Sequence, residues 1–326
     1  MKNSRPKSEN TMNRVITLAA ALLLGMLALV PYAIAQSYTF TPLSDPAGQP
    51  TIATGINNIG QVVGYYGAGA TWSGFIYNKG VFSTLDYPGV TASGYTEPWG
   101  INDKGQVVGI YNLTSHGPDG TYGYIYSGGI FTTINFPEST FTFAYGINDR
   151  GQIVGFNGEY SFIYSGGVFT TLDDPLGQVT IARDINSSGQ IVGDYIDLEG
   201  EHGFIYSGGV FTTLDDPSVT AGMFTVATGI NDRGQVVGYY QDTELSPYVP
   251  SSYGFIYNKG VFSTLDYPSS PITFLDGIND LGQIVGVNTT GSFIANPVAT
   301  PVPEPSTILL LGSGLVGLVG WRWRRK

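Results

Sequence analysis

The ten residues GINDKGQVVG at positions 100–109 recur with small changes along the chain and decide its fold. The isoleucine of the motif falls at positions 56, 101, 147, 185, 230 and 278, so that successive copies lie 45, 46, 38, 45 and 48 residues apart. A period of roughly 20 to 50 residues is typical of solenoids and propellers, in which each repeat forms one unit of supersecondary structure. The sequence therefore predicts a repeat architecture of six related units.

Each unit divides into four short predicted strands. The first ends in Gly-Ile-Asn, the second reads Gln-Val-Val-Gly-Tyr, the third Phe-Ile-Tyr and the fourth Val-Phe-x-Thr-Leu. The sequences Asn-Asp-x-Gly, Asn-Lys-Gly and Ser-Gly-Gly between them are typical of hairpin turns, since asparagine starts tight turns and glycine adopts positive φ. Four strands in about 45 residues indicate one propeller blade.

The ends of the repeat region show how the strands close on themselves. The sixth third strand, at residues 292–295, has no fourth strand after it, whereas residues 38–46, YTFTPLSDP, match the missing one. We therefore predict an all-β, six-bladed β-propeller of four-stranded blades at residues 36–298, closed by its N-terminal strand. Such closure leaves no open sheet edge. An open β-solenoid would not require this permutation.

The repeats resemble the HAF repeats of bacterial extracellular proteins. The stretch His202-Gly203-Phe204 comes nearest to the His-Ala-Phe that gives those repeats their name. The resemblance spans almost the whole repeat region. It implies an exported protein and says little about biochemical activity.

The N-terminal segment has the composition of a secretory signal peptide. Four basic residues (Lys2, Arg5, Lys7 and Arg14) precede an apolar run at residues 15–30, and Ala33-Ile34-Ala35 provides a small-x-small cleavage site. We predict a signal peptide at residues 1–35. Met12 is an alternative start, because Arg14 alone supplies a charged region before the apolar run.

The C-terminal segment combines a short motif, an apolar run and a basic end. The motif is Val302-Pro303-Glu304-Pro305, the apolar run covers residues 308–320, and the chain ends in WRWRRK. This tail, residues 299–326, resembles the PEP-CTERM sorting signal that exosortases read. The resemblance implies a membrane-tethered precursor with a transmembrane segment at about 307–321 in the inner membrane, cleavage near the motif by an exosortase-type partner, and a final place at the cell surface or in the extracellular biofilm matrix. A plain membrane anchor is the alternative.

The charge of the mature body excludes one class of partner. Residues 36–302 contain 6 Lys and Arg against 23 Asp and Glu, a net charge of about −17. A nucleic-acid backbone would be repelled, so no nucleic-acid partner is expected. The chain has no cysteine, so an exported body must be held together by its core.

One repeat position varies while its surroundings do not. The residue before the repeat glycine is Thr54, Trp99, Tyr145, Arg183, Thr228 or Asp276, and Asp184 replaces the glycine itself in one copy. If the first strand lines the central channel, these side chains meet at its mouth, with Trp72 on a nearby loop. We predict a ligand-binding site at Trp72, Trp99, Tyr145, Arg183, Asp184 and Asp276. Such a site could hold a sugar by stacking and hydrogen bonding. The alternative is that the side chains only plug the channel.

Catalytic signatures are missing from the sequence. There is no Gly-x-Ser-x-Gly motif, and His116 and His202 lie on predicted loops of different blades without metal-ligand spacing. We therefore expect no catalytic residues, no metal and no cofactor. The first hypothesis for the function is a non-catalytic surface or matrix protein that binds polysaccharide or protein. The second is a glycan-active hydrolase or lyase, whose paired carboxylates would come from Glu97, Glu138, Asp184 or Asp276.

Overall fold

The computed structural model describes residues 36–68, 71–114, 120–174, 177–217, 224–242 and 251–298, and these contain 24 β-strands and no helix. The predicted signal peptide at residues 1–35 lies outside the described residues. So do the predicted tail at residues 299–326, with Val302, Pro303, Glu304 and Pro305, and His116.

The strands follow one another in sets of four, which we call quartets. Strand β1 (Tyr38–Leu43) comes first. Quartet 1 is β2 (Thr51–Ile56), β3 (Val62–Ala68), β4 (Thr71–Asn78) and β5 (Val81–Thr84). Quartet 2 is β6 (Tyr95–Ile101), β7 (Val107–Asn112), β8 (Tyr122–Ser127) and β9 (Ile130–Ile134). Quartet 3 is β10 (Phe143–Ile147), β11 (Ile153–Phe156), β12 (Ser161–Ser165) and β13 (Val168–Leu172).

The second half repeats the order. Quartet 4 is β14 (Val179–Ile185), β15 (Ile191–Ile196), β16 (Glu201–Ser207) and β17 (Val210–Thr213). Quartet 5 is β18 (Phe224–Ile230), β19 (Val236–Asp242), β20 (Ser251–Asn258) and β21 (Val261–Thr264). Quartet 6 is β22 (Thr273–Ile278), β23 (Ile284–Asn288) and β24 (Gly291–Pro297), completed by β1.

The arrangement is all-β and propeller-like, with antiparallel pairing inside each quartet. The prediction of six separate blades is wrong in one respect. Quartets 3, 4, 5 and 6 are four separate four-stranded sheets, whereas quartets 1 and 2 form a single eight-stranded sheet. A lone parallel pair, Trp72 with Tyr95, joins them. The pair joins them because Tyr95 is already the first residue of β6, whereas the equivalent parallel bridge, Ser252 with Ile272, falls one residue before β22 and leaves quartets 5 and 6 separate.

The N-terminal strand occupies the place that the sequence predicts. β1 pairs with β24 in antiparallel register from Tyr38 opposite Pro297 to Leu43 opposite Ser292. Two distant parts of the chain therefore complete quartet 6. The first strands of the six quartets also contact one another in a closed circle, from β2 through β6, β10, β14 and β18 to β22 and back to β2.

The hydrophobic core lies between neighbouring quartets. The third strand of each quartet buries one aromatic ring completely; these rings are Phe75, Tyr124, Phe162, Phe204, Phe255 and Phe293. Phe75 of quartet 1, for example, packs in one cluster with Val285 of quartet 6, and Phe204 of quartet 4 with Val154 of quartet 3. Alternate residues of each strand thus bury apolar surface between the sheets, which stabilises the circle.

The turn between the first and second strands has the same structure in every quartet. In quartet 2 the Asn102 side-chain oxygen accepts hydrogen bonds from the backbone N–H groups of Lys104 and Gln106, at 3.1 and 3.0 Å. Gly105 has φ of 72°, a left-handed conformation that other residues rarely adopt. The repeated Asn and Gly of the motif are therefore needed by the turn itself.

The turn asparagines also join the quartets. The side-chain amide of Asn57 donates to the carbonyl of Asn102 at 3.1 Å, and the same bond connects each turn to the next until Asn279 donates to the carbonyl of Asn57 at 2.9 Å. The other members of the circle are Asn148, Asn186 and Asn231. All six asparagines are buried. The sequence predicted them as turn formers, and they are also the links of a closed hydrogen-bonded circle.

Candidate functional site

The first strand of every quartet, which is the innermost one, carries a β-bulge at the same repeat position. In β6 the pairing register shifts between Pro98 and Gly100, so that Trp99 is the extra residue. The bulged residues of the six first strands are Thr54, Trp99, Tyr145, Arg183, Thr228 and Asp276. A bulge changes the direction of its side chain relative to the ladder. The position that varies in sequence is thus the one that the fold singles out.

The six bulged side chains line one cavity of about 400 Å³. Trp99, Tyr145, Arg183 and Asp276 of the predicted site all lie on this cavity, and Asp184 joins them. Trp72 is not among the lining residues; it packs edge-on against Tyr65 with ring centres 5.4 Å apart. The structure therefore brings five of the six predicted residues together and leaves one outside.

Aromatic rings form much of the cavity wall. Trp99 meets Tyr145 edge-on at 5.3 Å between ring centres and lies 6.1 Å from Tyr65. In another part of the cavity wall, the rings of Tyr239 and Phe274 pack edge-on with their centres 4.6 Å apart. The indole N–H of Trp99 is buried and has no hydrogen-bond partner among the described residues.

The sequence analysis missed Tyr65, Tyr239 and Phe274. Tyr65 and Tyr239 follow the third and last glycine of the motif, on the second strand, and each pairs with a first-strand residue two places before the bulge. This position varies among the copies, as does the bulge position, and it reads Tyr65, Ile110, Phe156, Asp194, Tyr239 and Val287. A search for variable positions flanked by the repeat glycines could have found it.

Arg183 is held by an acidic pair. Its Nε contacts the carboxylate of Asp194, which is buried to 1% exposure. Burial alone would lower the pKa of Arg183, but the adjacent Asp194 charge raises that pKa above its ordinary value. Burial, followed by the negative Asp194, raises the pKa of the Glu201 carboxyl to about 7. The guanidinium of Arg183 is therefore already neutralised by protein groups.

Asp276 has no such partner. Burial raises the pKa of its carboxyl to about 7, and the charge of Arg183 opposes that rise only in part. Its Oδ2 atom is buried and has no hydrogen-bond partner in the described chain. A buried polar atom without a partner costs free energy comparable to a lost hydrogen bond, which a ligand or water can recover.

Asp184 lies where the other five copies have glycine. At Gly100 a side chain would meet the Tyr145 carbonyl at 2.6 Å, because the innermost strands approach closely there. The Asp184 carboxylate instead accepts hydrogen bonds from the N–H groups of Ile185 at 2.8 Å and Ile230 at 2.9 Å. It thereby connects β14 to β18. Burial raises the pKa of its carboxyl to about 7.

The other two candidate carboxylates, Glu97 and Glu138, do not line the cavity. Burial raises the pKa of Glu97, two residues before Trp99 on β6, to about 7. Glu138 borders a different surface concavity between Phe136 and Tyr160. Only Asp184 and Asp276 of the four line the cavity.

His202 lies in strand β16 and not in a loop as expected from the sequence. Its Nδ1 is 2.8 Å from the carboxylate of Asp215, and its ring stacks on Tyr195. Within the described ranges, no group of three or more His, Asp or Glu side chains is placed to hold a metal ion.

Comparison with known proteins identifies the tail. Residues 301–326 match the family described as the PEP-CTERM protein-sorting motif. No curated protein matches the chain in sequence.

Several solved structures follow a similar chain path at low identity. A catalytically inactive virginiamycin B lyase from Staphylococcus aureus with quinupristin has a TM-score of 0.47 and 12% identity, over 81% of this chain and 100% of that one. A mutant of AofleA from Arthrobotrys oligospora has a TM-score of 0.46 and 12% identity, over 82% of this chain and 88% of that one. PorZ, a surface component of the type-IX secretion system of Porphyromonas gingivalis, has a TM-score of 0.42 and 12% identity, over 74% of this chain and 40% of that one. At this identity the likeness says nothing about ligand or activity.

The tail decides the route that the protein takes. The residues that the structure describes include no helix that is long and apolar enough to cross a lipid bilayer. The sorting motif implies export and membrane-anchored sorting before release. The chain thus carries a PEP-CTERM sorting motif on a propeller-like all-β body, and an exosortase-type enzyme processes it.

Proposed function

We propose that this protein is a non-catalytic binding protein of the cell surface or extracellular matrix, and that its central cavity binds sugar units of an extracellular polysaccharide. The observation that carries the proposal is the convergence of six bulged side chains, different in nature, on one cavity of about 400 Å³. A scaffold that repeats its backbone and varies only the residues facing a cavity is suited to recognition. The size lies within the range of roughly 300–1,000 Å³ found for ligand pockets.

The chemistry of the wall supports a sugar. Aromatic faces such as Trp99 and Tyr145 pack against the C–H faces of a sugar ring, while carboxylates accept its hydroxyl protons. The unpaired Asp276 Oδ2 and Trp99 Nε1 provide one acceptor and one donor for such a ligand. A wall that served only to plug the channel would gain nothing from these two unpaired groups.

The proposal also includes the identity of the repeats, the role of the N-terminal segment and the membrane passage of the tail. In this account the repeats are HAF repeats, and residues 1–35 direct export. The helix at about 307–321 crosses the inner membrane until cleavage. Surface proteins are the alternative partner to polysaccharide.

Binding to a panel of bacterial exopolysaccharides tests the proposal. The full-length chain, purified in detergent, is compared with Trp99→Ala and with Leu281→Ala. Leu281 lies on an exposed turn beside the concavity that the six turn asparagines line, which we call the asparagine end of the channel. We expect saturable binding that Trp99→Ala weakens at least about tenfold, as the loss of one stacking group predicts. Leu281→Ala should bind as the parent does. Binding that is indifferent to Trp99, or absent, would contradict the cavity as a saccharide site.

A glycan-active hydrolase or lyase is the second candidate. It is favoured by one observation: two cavity carboxyls, Asp184 and Asp276, have pKa values near 7, as general acids often do. Incubation with the bound polysaccharide and measurement of new reducing ends or unsaturated products would decide between the two. Cleavage that Asp276→Asn abolishes would make the protein an enzyme.

A further inference from the structure

The charges around the cavity are strongly unequal. Arg183 is the cation of the wall, and Asp194 already neutralises it. Asp276 and Asp184 face the cavity, and Glu201 lies beside Asp194. Where Asp276 and Asp184 are ionised the remaining field is negative, so a uronic acid or another anionic sugar would meet repulsion while a cation would meet attraction.

The aromatic walls favour the same sign of charge. Trp99 contacts Tyr65 and Tyr145 in one group of rings, and Tyr239 contacts Phe274 in another. The face of an aromatic ring attracts an ammonium group within about 6 Å of its centre, most strongly for Trp, and the effect grows when water is excluded. Aromatic rings around an unpaired carboxylate therefore make a site for an organic cation.

The two unpaired atoms show which kind of cation fits. Asp276 Oδ2 lacks a donor, and an ammonium group supplies one. Trp99 Nε1 lacks an acceptor, and a simple alkylammonium has none to offer. A sugar ring that bears a free amine satisfies both, through its ammonium and through a hydroxyl or ring oxygen.

We propose that the cavity binds the protonated amine of an amino sugar, with Asp276 accepting from the ammonium group and Trp99 donating to a sugar oxygen. This inference rests on the proposed saccharide-binding function and specifies its ligand. Acetylation of the amine would remove the charge and add bulk, so the deacetylated form is the one recognised. Arg183 stays engaged by Asp194 in the complex.

Calorimetric titration of the full-length chain tests the inference. The probes are β-1,4-linked tetrasaccharides of glucosamine, of glucose and of N-acetylglucosamine, together with butylamine. A pH of about 7 leaves a large fraction of the amine protonated and of the Asp276 carboxyl ionised, and pairing of the two favours the charged form of each. We expect the glucosamine oligomer to bind at least about tenfold more tightly than the glucose oligomer. The N-acetylated oligomer should gain no such advantage.

Two isosteric variants locate the effect. Asp276→Asn should abolish the preference for glucosamine over glucose while leaving the weaker binding of the glucose oligomer. Asp280→Asn, the same change in the turn at the asparagine end of the channel, should leave the preference intact. Thermal unfolding of both variants shows whether they fold as the parent does.

The possible failures are distinguishable. Equal binding of the glucosamine and glucose oligomers would overturn the amine inference and leave saccharide binding in place. Butylamine binding as tightly as the amino sugar would overturn the sugar part of the inference. If none of the oligomers binds, the proposed saccharide function fails as well.

Discussion

At the scale of single residues, this protein separates positions that build the fold from positions that can differ. Gly100 cannot bear a side chain, because the neighbouring strand lies too close. Trp99, directly before it, bulges out of the ladder and can change freely in size and charge. Six copies of one backbone therefore present five kinds of side chain to one cavity, since only threonine occurs twice, and recognition can change without change in the scaffold.

Tyr124 allows a test of how strictly the core is apolar. The equivalent residue is phenylalanine in the other five quartets, and the Tyr124 hydroxyl is fully buried without a hydrogen-bond partner in the described chain. We expect Tyr124→Phe to raise the free energy of unfolding by about 1 kcal/mol, because it removes an unsatisfied polar group and leaves the ring in place. Urea unfolding would measure it. The control Tyr126→Phe, on a half-buried ring of the same strand, should change little; equal effects would contradict the explanation.

The cavity carboxyl Asp276 predicts a dependence of stability on pH. Its pKa is raised to about 7 in the folded state from about 3.9 in an unfolded chain. The folded state therefore binds the proton more tightly, and this contribution is present below about pH 4 and lost as the pH rises through 7. Asp184, Glu97 and Glu201 act in the same direction. We expect stability to fall between about pH 4 and 7.

Asp276→Asn isolates one part of that slope. The variant should be more stable than the parent at about pH 8, by about 1–2 kcal/mol, and gain little at about pH 5. The full pKa shift would give more, but water in the cavity screens the carboxylate. Urea unfolding at both pH values measures the difference, with Asp280→Asn as the control. A gain of equal size at the two pH values would show that ionisation is not the cause.

At the scale of elements, the sequence predicts the strands well and the sheets less well. The repeats locate four strands per unit because turn residues such as Asn102 and Gly105 have fixed roles in the local backbone. Neither the bulge at Trp99 nor the pair of Trp72 with Tyr95 could be predicted, because both depend on register between strands. The cavity position was predicted from topology. The partners Asp194 and Tyr65 were missed because they belong to a second strand.

The turns show a second circle of hydrogen bonds that is incomplete. The N–H of Asn58 donates to the Asp103 carboxylate at 2.7 Å, and Asp103 donates to Asp149 in the same way at 2.9 Å. The equivalent acceptor for the N–H of Asp149 would be residue 187, a serine. No such bond is present between these two described residues, since the shorter side chain does not provide it. Five of the six junctions have this bond, and the junction between quartets 3 and 4 is the exception.

Ser187→Asn should complete the second circle. Asn58 shows that an asparagine can serve, because its side-chain oxygen accepts from the N–H of Asp280 at 2.6 Å. We expect the free energy of unfolding to rise by about 0.5–1.5 kcal/mol, the net value of one hydrogen bond. Thermal or urea unfolding measures it, and Ser187→Ala provides a matched change without an acceptor. If both variants change stability equally, the bond is not responsible.

At the scale of the whole molecule, closure depends on one strand from the N-terminal end. β1 pairs along its full length with β24, and Phe40 packs edge-on against Phe293 at 5.3 Å between ring centres. Without β1, one face of Phe293 and the hydrogen-bonding edge of β24 would meet water. An exposed edge of this kind pairs readily with another chain.

Deletion of residues 38–43 should therefore change both stability and assembly. We expect a loss of at least about 3 kcal/mol in the free energy of unfolding, comparable to the removal of a large core side chain, and concentration-dependent association through β24. A peptide with the sequence YTFTPL, added in excess, should restore the monomer. The scrambled peptide PLTFYT, which has the same residues in a different order, should not. Light scattering and analytical ultracentrifugation measure the association. A deleted chain that stays monomeric and as stable as the parent would show that the asparagine circle closes the ring by itself.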